Sequence, residues 1–429
     1  IVRTLLQIRQ KVMLLAPTGR AAKVFSLGSG APAYTIHRRI YREKAFAGVD
    51  GQFSLNDNLY TDTLFMVDEA SMIANMGLGG TTFGSGCLLD DLVKFVYQGH
   101  NDRLLLIGDK AQLPPVGEEE SPALSASVME GYGLKVYECD LNEVLRQSQS
   151  SGILYNATLI RQMITHDAVT GLPLIRFKGF ADIVMMPGAE RVESLGDSYH
   201  HVGMDETMVI TRSNKRANIY NNGIRNMVLD REEELSSGDM LMIVKNNYFW
   251  TEKEKKESGE GSAGAVPAFL ANGDRAKVLR VSNYIELYGF RFATLLLQLP
   301  DYDDYEMQVT GMLDTLQSEA PALTHEQQEE LFRQVEEDYQ HFVPLKADRM
   351  KSIRQDAYFN ALQIKYAYAV TCHKAQGGQW AHVYVDQGYM TDDMLTPDYI
   401  HWLYTAFTRA TDKLFLVNWP KEQICEPTD

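Results

Sequence analysis

Short unbroken apolar runs punctuate this chain, and longer stretches with apolar residues at helical spacing lie between them. "KVMLLA" (11–16), "LFMV" (64–67), "RLLLIGD" (103–109), "TMVIT" (207–211), "HVYVD" (382–386) and "KLFLVNW" (413–419) each carry too few polar positions for a strand with a wet face. Such runs read as strands covered on both faces, the pattern of parallel sheets. Helical stretches separate them: "IVRTLLQIRQ" puts Ile1, Leu5 and Ile8 on one stripe, and "PTGRAAKVF", "TIHRRIYR", 88–97, "SNKRANIYN" and "WLYTAFTRAT" follow. Alternation of this kind predicts α/β architecture with doubly wound parallel sheets.

Two regions break the alternation. Residues 239–300 read mostly as β, through "MLMIVKNNY", "DRAKVLRV", "IELYGF" and "ATLLLQL". "TEKEKKESGEGSAG" (251–264) interrupts them, and its charged, Gly/Ser-rich composition predicts a mobile loop. Beyond them "THEQQEELFRQVEEDYQHF" starts with Thr324 and Gln327 at capping-box spacing, a helix start. Earlier, Asp50-Gly51 predicts a hairpin turn within 41–60.

The 429 residues leave room for two to four domains. No apolar run approaches the length of a membrane span, and a cytoplasmic protein is expected. The four cysteines, Cys87, Cys139, Cys372 and Cys425, form no C-x-x-C pair, so free thiols are expected. A net charge of −16 argues against indiscriminate coating of nucleic acid but leaves room for a local basic groove.

Chemistry concentrates at the ends of two of the apolar runs. "TLFMVDEASMI" (63–73) delivers Asp68 and Glu69 at the end of a buried strand, where one carboxylate can hold a metal and the other handle a proton. "LLLIGDKAQLPPVG" sets Gln112 on a loop stiffened by Pro114-Pro115, and a glutamine there can bond a phosphate or an attacking water.

In chain order, "APTGRAAK", "TIHRRI", "VDEASMI", "GDKAQLPPVG", "LNEVLRQ", "YAYAVTCHKAQGGQW" and "LYTAFTRA" resemble motifs Ia, Ib, II, III, IV, V and VI of superfamily 1 helicases, most closely the RecD/Dda-type branch. The resemblance spans Ala16 to Ala410 and implies two RecA-like P-loop NTPase domains that use ATP and Mg²⁺ to move 5′ to 3′ on DNA. It implies that Asp68 holds Mg²⁺, Glu69 polarises water, and Gln112 senses the γ-phosphate. Arg146 and Arg409 supply positive charge to the transferring group, and Gln376 and Gly377 lie near the nucleotide. Pro17, Thr18, Arg20, Thr35, His37, Arg38, Thr371, His373 and Lys374 hold single-stranded DNA. Gln379 stands where relatives often carry Glu, and Tyr404, before "TAFT", is left unassigned.

The implied organisation is a first RecA-like domain at 1–145, with a hairpin insertion at 41–60, and a second at 146–245 and 346–429. A small SH3-like β insertion that guides the strand fills 246–345 and carries a helical arm at 324–342. The hairpin is either a strand-splitting pin or an ordinary surface hairpin, with Phe46 and Phe53 as wedge or anchor. Forked duplex DNA, and nuclease or repair-complex subunits, are the partners implied, and a monomer is expected. No G-x-x-G-x-G-K-[ST] occurs in residues 1–429, and "GLGGTTFGSG" (77–86) lacks the lysine. The expectation is that the phosphate-binding loop lies upstream and that the chain as written turns ATP over slowly or not at all. An RNA helicase of the same superfamily, and an ATPase-dead strand-binding subunit of a nuclease–helicase complex, are the alternatives.

Overall fold

The apolar runs near the amino-terminal end do assemble as neighbours in a parallel sheet. In the computed structural model of the chain, which describes residues 1–46, 51–77, 83–141, 151–165, 171–258, 266–267, 269–391 and 394–425, the first strands are β1 (Lys11–Ala16), β2 (Ala33–Thr35), β3 (Tyr41–Phe46), β4 (Gly51–Leu55), β5 (Thr63–Val67) and β6 (Arg103–Leu106). The sheet order is β2-β1-β5-β6, with β2 and β5 both parallel to β1. Leu14, Leu15, Ala16, Phe65, Met66 and Val67 are at most 1% exposed. Each large side chain among them contributes ~1.5–3 kcal/mol by leaving water. β6 lies at the sheet's edge and is only half-buried, less covered than its composition predicts.

β3 and β4 pair antiparallel as the predicted hairpin. Asp50, the first half of its expected turn, lies outside the described residues.

Next in chain order come β7 (Ile183–Met186) and β8 (Thr207–Thr211), then a closed barrel. Its strands are β9 (Met240–Ile243), β10 (Arg275–Leu287), β11 (Phe290–Leu299), β12 (Tyr305–Met312) and β13 (Leu362–Tyr366), in the order β10-β11-β12-β13-β9. The barrel therefore extends beyond residues 246–345 at both ends. Ala293, Leu295, Leu297 and Leu299 are buried on one face of β11 at the period of two that a strand gives, and Phe290 and Phe292 are buried on the other. The long strand β10 bends round the barrel through register shifts at 278–280 and 282–285.

The arm is the helix His325–Gln340, and both halves of its capping box form. The Thr324 hydroxyl accepts from the Gln327 N–H at 3.3 Å, and the Gln327 amide oxygen accepts from the Thr324 N–H at 3.0 Å. Leu331 and Val335 anchor this helix on Phe290, Phe292 and Met312 of the barrel.

Residues 251–258 correct the loop expectation, because Phe249–Ser258 is a helix. Lysine and glutamate are good helix formers. Trp250, 4% exposed, fastens the first turn. Only 259–264 of the predicted loop fall outside the described residues.

The last strands, β14 (Ala369–Thr371), β15 (Trp380–Asp386) and β16 (Ala410–Val417), join β7 and β8 in an all-parallel sheet of order β14-β8-β15-β16-β7. The result is two parallel sheets flanked by helices, the α/β architecture of two RecA-like domains.

The chain divides into two compact units. One comprises Ile1–Asp68, Asn75–Leu105 and Glu233–Ala367, and the other Glu69–Ala74, Leu106–Glu232 and Tyr368–Asp429. Residues 106–145 thus share a unit with the second sheet. Among the described residues no helix is long and apolar enough to cross a membrane.

Candidate nucleotide and strand sites

In open α/β sheets ligands gather at the carboxyl ends of the strands. Within the first unit, Ala16 of β1 is level with Thr35 of β2, so "PTGR" and "TIHRR" leave neighbouring strands at one edge. Thr18 caps the helix Gly19–Ser29 by accepting from the Ala21 N–H at 3.2 Å, and Thr35 accepts from the Arg38 N–H at 3.3 Å. Both hydroxyls already serve the backbone.

Burial pushes the His37 imidazole down to about 4. Near pH 7 it is neutral, offering an N–H rather than a charge, and it meets Phe83 edge-on at 5.0 Å. Arg38 is exposed, with its guanidinium 5.5 Å from the centre of the Tyr34 ring.

The barrel touches this edge at Gly19. A Cβ there would sit 2.8 Å from the Ala271 Cβ and 2.9 Å from Oδ1 of Asp274. Asp274 is fully buried and accepts from the Tyr302 hydroxyl at 2.6 Å and the Ala271 N–H at 2.7 Å. Burial raises its carboxyl to about 7.

β5 ends in Asp68, whose N–H donates to the Leu15 carbonyl at 3.0 Å, and both Asp68 and Glu69 are half-buried. Glu69 adopts φ +52°, a left-handed conformation that costs a non-glycine residue of order 1 kcal/mol or more and clusters at functional sites.

In the second unit the Ala70 N–H donates to the Ile107 carbonyl at 2.8 Å. Gly108 passes so close that a Cβ would stand 2.9 Å from the Ser71 nitrogen, so glycine is required there.

The loop carrying Gln112 is tied on both sides. The Leu113 N–H donates to Oγ1 of Thr405 at 2.8 Å, and the Leu113 carbonyl accepts from Nε2 of Gln376 at 2.8 Å. A ring nitrogen of His401 bonds the Ala111 carbonyl at 2.9 Å, and the Tyr404 hydroxyl donates to Oδ2 of Asp109 at 2.6 Å. Arg161 adds an ion pair to Asp109 at 3.7 Å. Gln112 itself keeps a buried amide oxygen with no hydrogen-bond partner among the described residues. An orphaned acceptor suits a water O–H, so Gln112 fits a nucleotide site at which water attacks.

Thr405→Val tests this bracing. It keeps the shape but leaves the buried Leu113 N–H without an acceptor. A loss of ~1–3 kcal/mol in urea unfolding is expected. An unchanged midpoint would mean that the loop is held without Thr405.

Arg409 is 4% exposed. Its Nε donates to the Thr405 carbonyl at 3.0 Å, Nη1 to the Gly378 carbonyl at 3.1 Å, and Nη2 to Oγ1 of Thr408 at 3.1 Å. Gln376 bonds the Gln112 loop, as above, while Gly377 beside it turns the chain at φ +73°.

These groups lie at the amino ends of β15 and β16, because the Trp380 N–H donates to the Arg409 carbonyl at 2.9 Å. Thr371 stands at the other end: it is level with Thr211, which is level with Asp386. Trp380 and Asp386 are six strand steps apart, about 20 Å along the sheet. His373 and Lys374 follow Thr371 in the short helix Cys372–Ala375. Thr371 ends its strand there, and the helix Cys372–Ala375 carries the chain from it to Gln376, two residues after Lys374. Arg146 lies outside the described residues.

Sequence reasoning missed Thr405 and His401 and left Tyr404 aside. Their one signal is a position inside "HWLYTAFTRA", on the face of the helix Pro397–Phe407 that meets the Gln112 loop.

Residues 366–417 match the UvrD-like helicase C-terminal domain, and residues 1–170 match an AAA domain. The chain is thus similar near its two ends to a helicase C-terminal domain and to an AAA domain. An uncharacterized protein of Acanthamoeba polyphaga mimivirus, R530, is 22% identical over 396 residues, covering 82% of this chain and 74% of the relative. A structure of two coordinating Pif1 helicases unwinding forked double-stranded DNA is similar at 12% identity and TM-score 0.49, covering 99% of this chain and 86% of that one. Pif1 from Bacteroides with ADP-AlF3 and single-stranded DNA is similar at 13% identity and TM-score 0.46, covering 97% and 85%.

Proposed function

We propose that the chain is the core of an ATP-dependent DNA helicase of the RecD/Dda-type branch, moving 5′ to 3′ on a single strand as a monomer in the cytoplasm. The observation that carries this reading is the bracing of the Gln112 loop from Gln376, His401, Tyr404 and Thr405. A residue that reports on the nucleotide is thereby fastened, through Gln376, to the segment that carries Thr371, His373 and Lys374.

Asp68 would hold Mg²⁺, which when bound neutralises charge on the phosphates. Glu69 takes a proton from the attacking water, and the amide oxygen of Gln112 orients that water. Arg409, with Arg146, stabilises the charge that develops on the transferring group. Pro17, Thr18, Arg20, Thr35, His37 and Arg38 hold the strand backbone on the first unit. The hairpin at 41–60 splits the duplex at a fork, and Phe53 anchors its root. Residues 1–429 alone turn ATP over slowly or not at all, because they contain no G-K-[ST] loop.

The deciding experiment measures ATP hydrolysis with and without single-stranded DNA. It compares residues 1–429 with a version extended upstream in the parent reading frame by about forty residues, enough for the loop and its strand. Turnover only in the extended version, stimulated by DNA, is expected. Absence of turnover in both, with strand binding retained, would make the chain a binding module. Stimulation by RNA alone would move it to the RNA branch.

A further inference from the structure

Both donors that reach the Asp274 carboxyl land on one of its oxygens. The Tyr302 hydroxyl and the Ala271 N–H donate to Oδ2, while Oδ1 is buried with no hydrogen-bond partner among the described residues. A carboxylate carries its charge on two accepting oxygens and needs donors at each. A group bonded on one oxygen alone, in a site closed to water, has the layout of a neutral acid or an amide. Ionisation here strands a charged oxygen, which costs far more than an unmet neutral group.

The neighbouring elements, all within the first unit, do little to offset that charge. From the helix Gly19–Ser29, Lys23 acts on Asp274, but its Nζ donates to the Pro300 carbonyl at 3.2 Å. The turn Pro300–Tyr302 brings a second carboxylate, Asp301, beside the Tyr302 hydroxyl. Arg275, next on β10, pairs with Asp301 at 3.8 Å, and Arg38 acts on Tyr302.

The same loop seats the barrel. Its Gly273 N–H donates to the Ile243 carbonyl of β9 at 2.8 Å, and the Ile243 N–H donates to the Asp274 carbonyl at 2.9 Å. Ala271 and Asp274 then close on Gly19 so tightly that no Cβ fits there.

We propose that Asp274 makes this seat proton-dependent: as a neutral acid it closes the barrel loop onto the helix that carries "PTGR", and on ionising it releases the loop. Closing takes up one proton from solvent, and opening returns it. Burial, which raises the closed carboxyl to about 7, sets where this happens. In the open, hydrated loop the group returns to the ordinary range near ~4. Between those values the open form gains ~10-fold per pH unit, and the gain stops once the closed form ionises as well. Acid therefore tightens the seat and neutral pH loosens it. The seat stands apart from the strand-binding reading, and its test contains no nucleic acid.

Hydrogen exchange of residues 1–429 between about pH 5 and about pH 9 provides that test, read as protection factors so that the pH dependence of intrinsic exchange cancels. The N–H groups of 271–274 all have acceptors in the closed seat. Their protection is expected to fall ~10-fold per pH unit up to about pH 7 and then level off, while that of β11 stays constant. Asp274→Asn accepts from Tyr302 and Ala271 through its amide oxygen and cannot ionise. It should keep the parent's circular dichroism and show flat protection throughout. Tyr302→Phe removes a donor that favours the charged form, so its levelling point should move to higher pH. This shift and the parent's own slope decide the matter if Asp274→Asn does not fold. Flat protection in the parent, or the parent's slope in Asp274→Asn, would overturn the proposal. So would β11 losing protection in step with 271–274, since the whole barrel would then be opening.

Discussion

Arg409→Lys is expected to lower DNA-stimulated ATP turnover by a factor of ~10³ or more, the scale of an arginine that stabilises phosphoryl transfer. The assay uses the upstream-extended version of the hydrolysis experiment above. The expectation comes from an imbalance in the structure. Arg409 is buried, its donors are met by two carbonyls and a hydroxyl, and no carboxylate among the described residues pairs with it. A buried cation without a counter-ion is costly to maintain. Its position at the carboxyl end of the helix Pro397–Phe407 offsets part of that cost through the helix dipole. A phosphate oxygen would supply the missing negative charge. Lysine keeps the charge but loses the planar fork, and so cannot serve Thr405, Gly378 and an anion together. A purely structural Arg409 predicts something else: a stability loss of ~1–3 kcal/mol and turnover reduced only as the folded fraction falls. Kinetics separate the two. A fall in kcat with an ATP KM within about twofold of the parent marks an interaction made in the transition state. A turnover loss that tracks the urea midpoint would assign Arg409 to the scaffold.

The sheets and the motif residues could be read from the sequence because both depend on local pattern. β1, β5 and β8 are short apolar runs bounded by polar residues, and Asp68 and Gln112 follow such runs directly. Thr405 and Tyr404 could not be read in the same way. Their partners, Leu113 and Asp109, lie almost 300 positions away, and a threonine or tyrosine inside an apolar helix carries no mark of what it meets. The edges of the barrel were lost for a related reason. β9 and β13 pair antiparallel with each other across the whole insertion, so neither strand announces the barrel locally. In the hairpin, local pattern found the strands, but only the fold shows that Phe53 stacks on Phe83 and meets Tyr248. The helix 249–258 is the instructive miss. Its Lys/Glu-rich run with trailing Gly and Ser has the composition of a loop, and one aromatic pair at its start outweighs that composition.

Trp250→Ala is therefore expected to destabilise the chain by ~3–5 kcal/mol, the range for truncating a buried tryptophan. The indole is 4% exposed, Nε1 donates to the Asn360 carbonyl at 2.9 Å, and Phe249 meets it edge-on at 4.9 Å. Most of the cost is packing. The Asn360 carbonyl would keep a second donor, Nδ2 of Asn247 at 3.0 Å, so truncation leaves no buried acceptor unfilled. Trp250→Phe keeps much of the volume and should cost no more than ~1.5 kcal/mol. Urea unfolding followed by far-ultraviolet circular dichroism gives the stability, and hydrogen exchange over 249–258 reports on the helix itself. Faster exchange of these amides in the alanine variant is expected, because the first turn loses its anchor while the lysines and glutamates behind it stay solvated. A cost below ~1 kcal/mol with unchanged exchange would mean that helix propensity alone maintains the segment. Trp250 would then be a passenger on the helix.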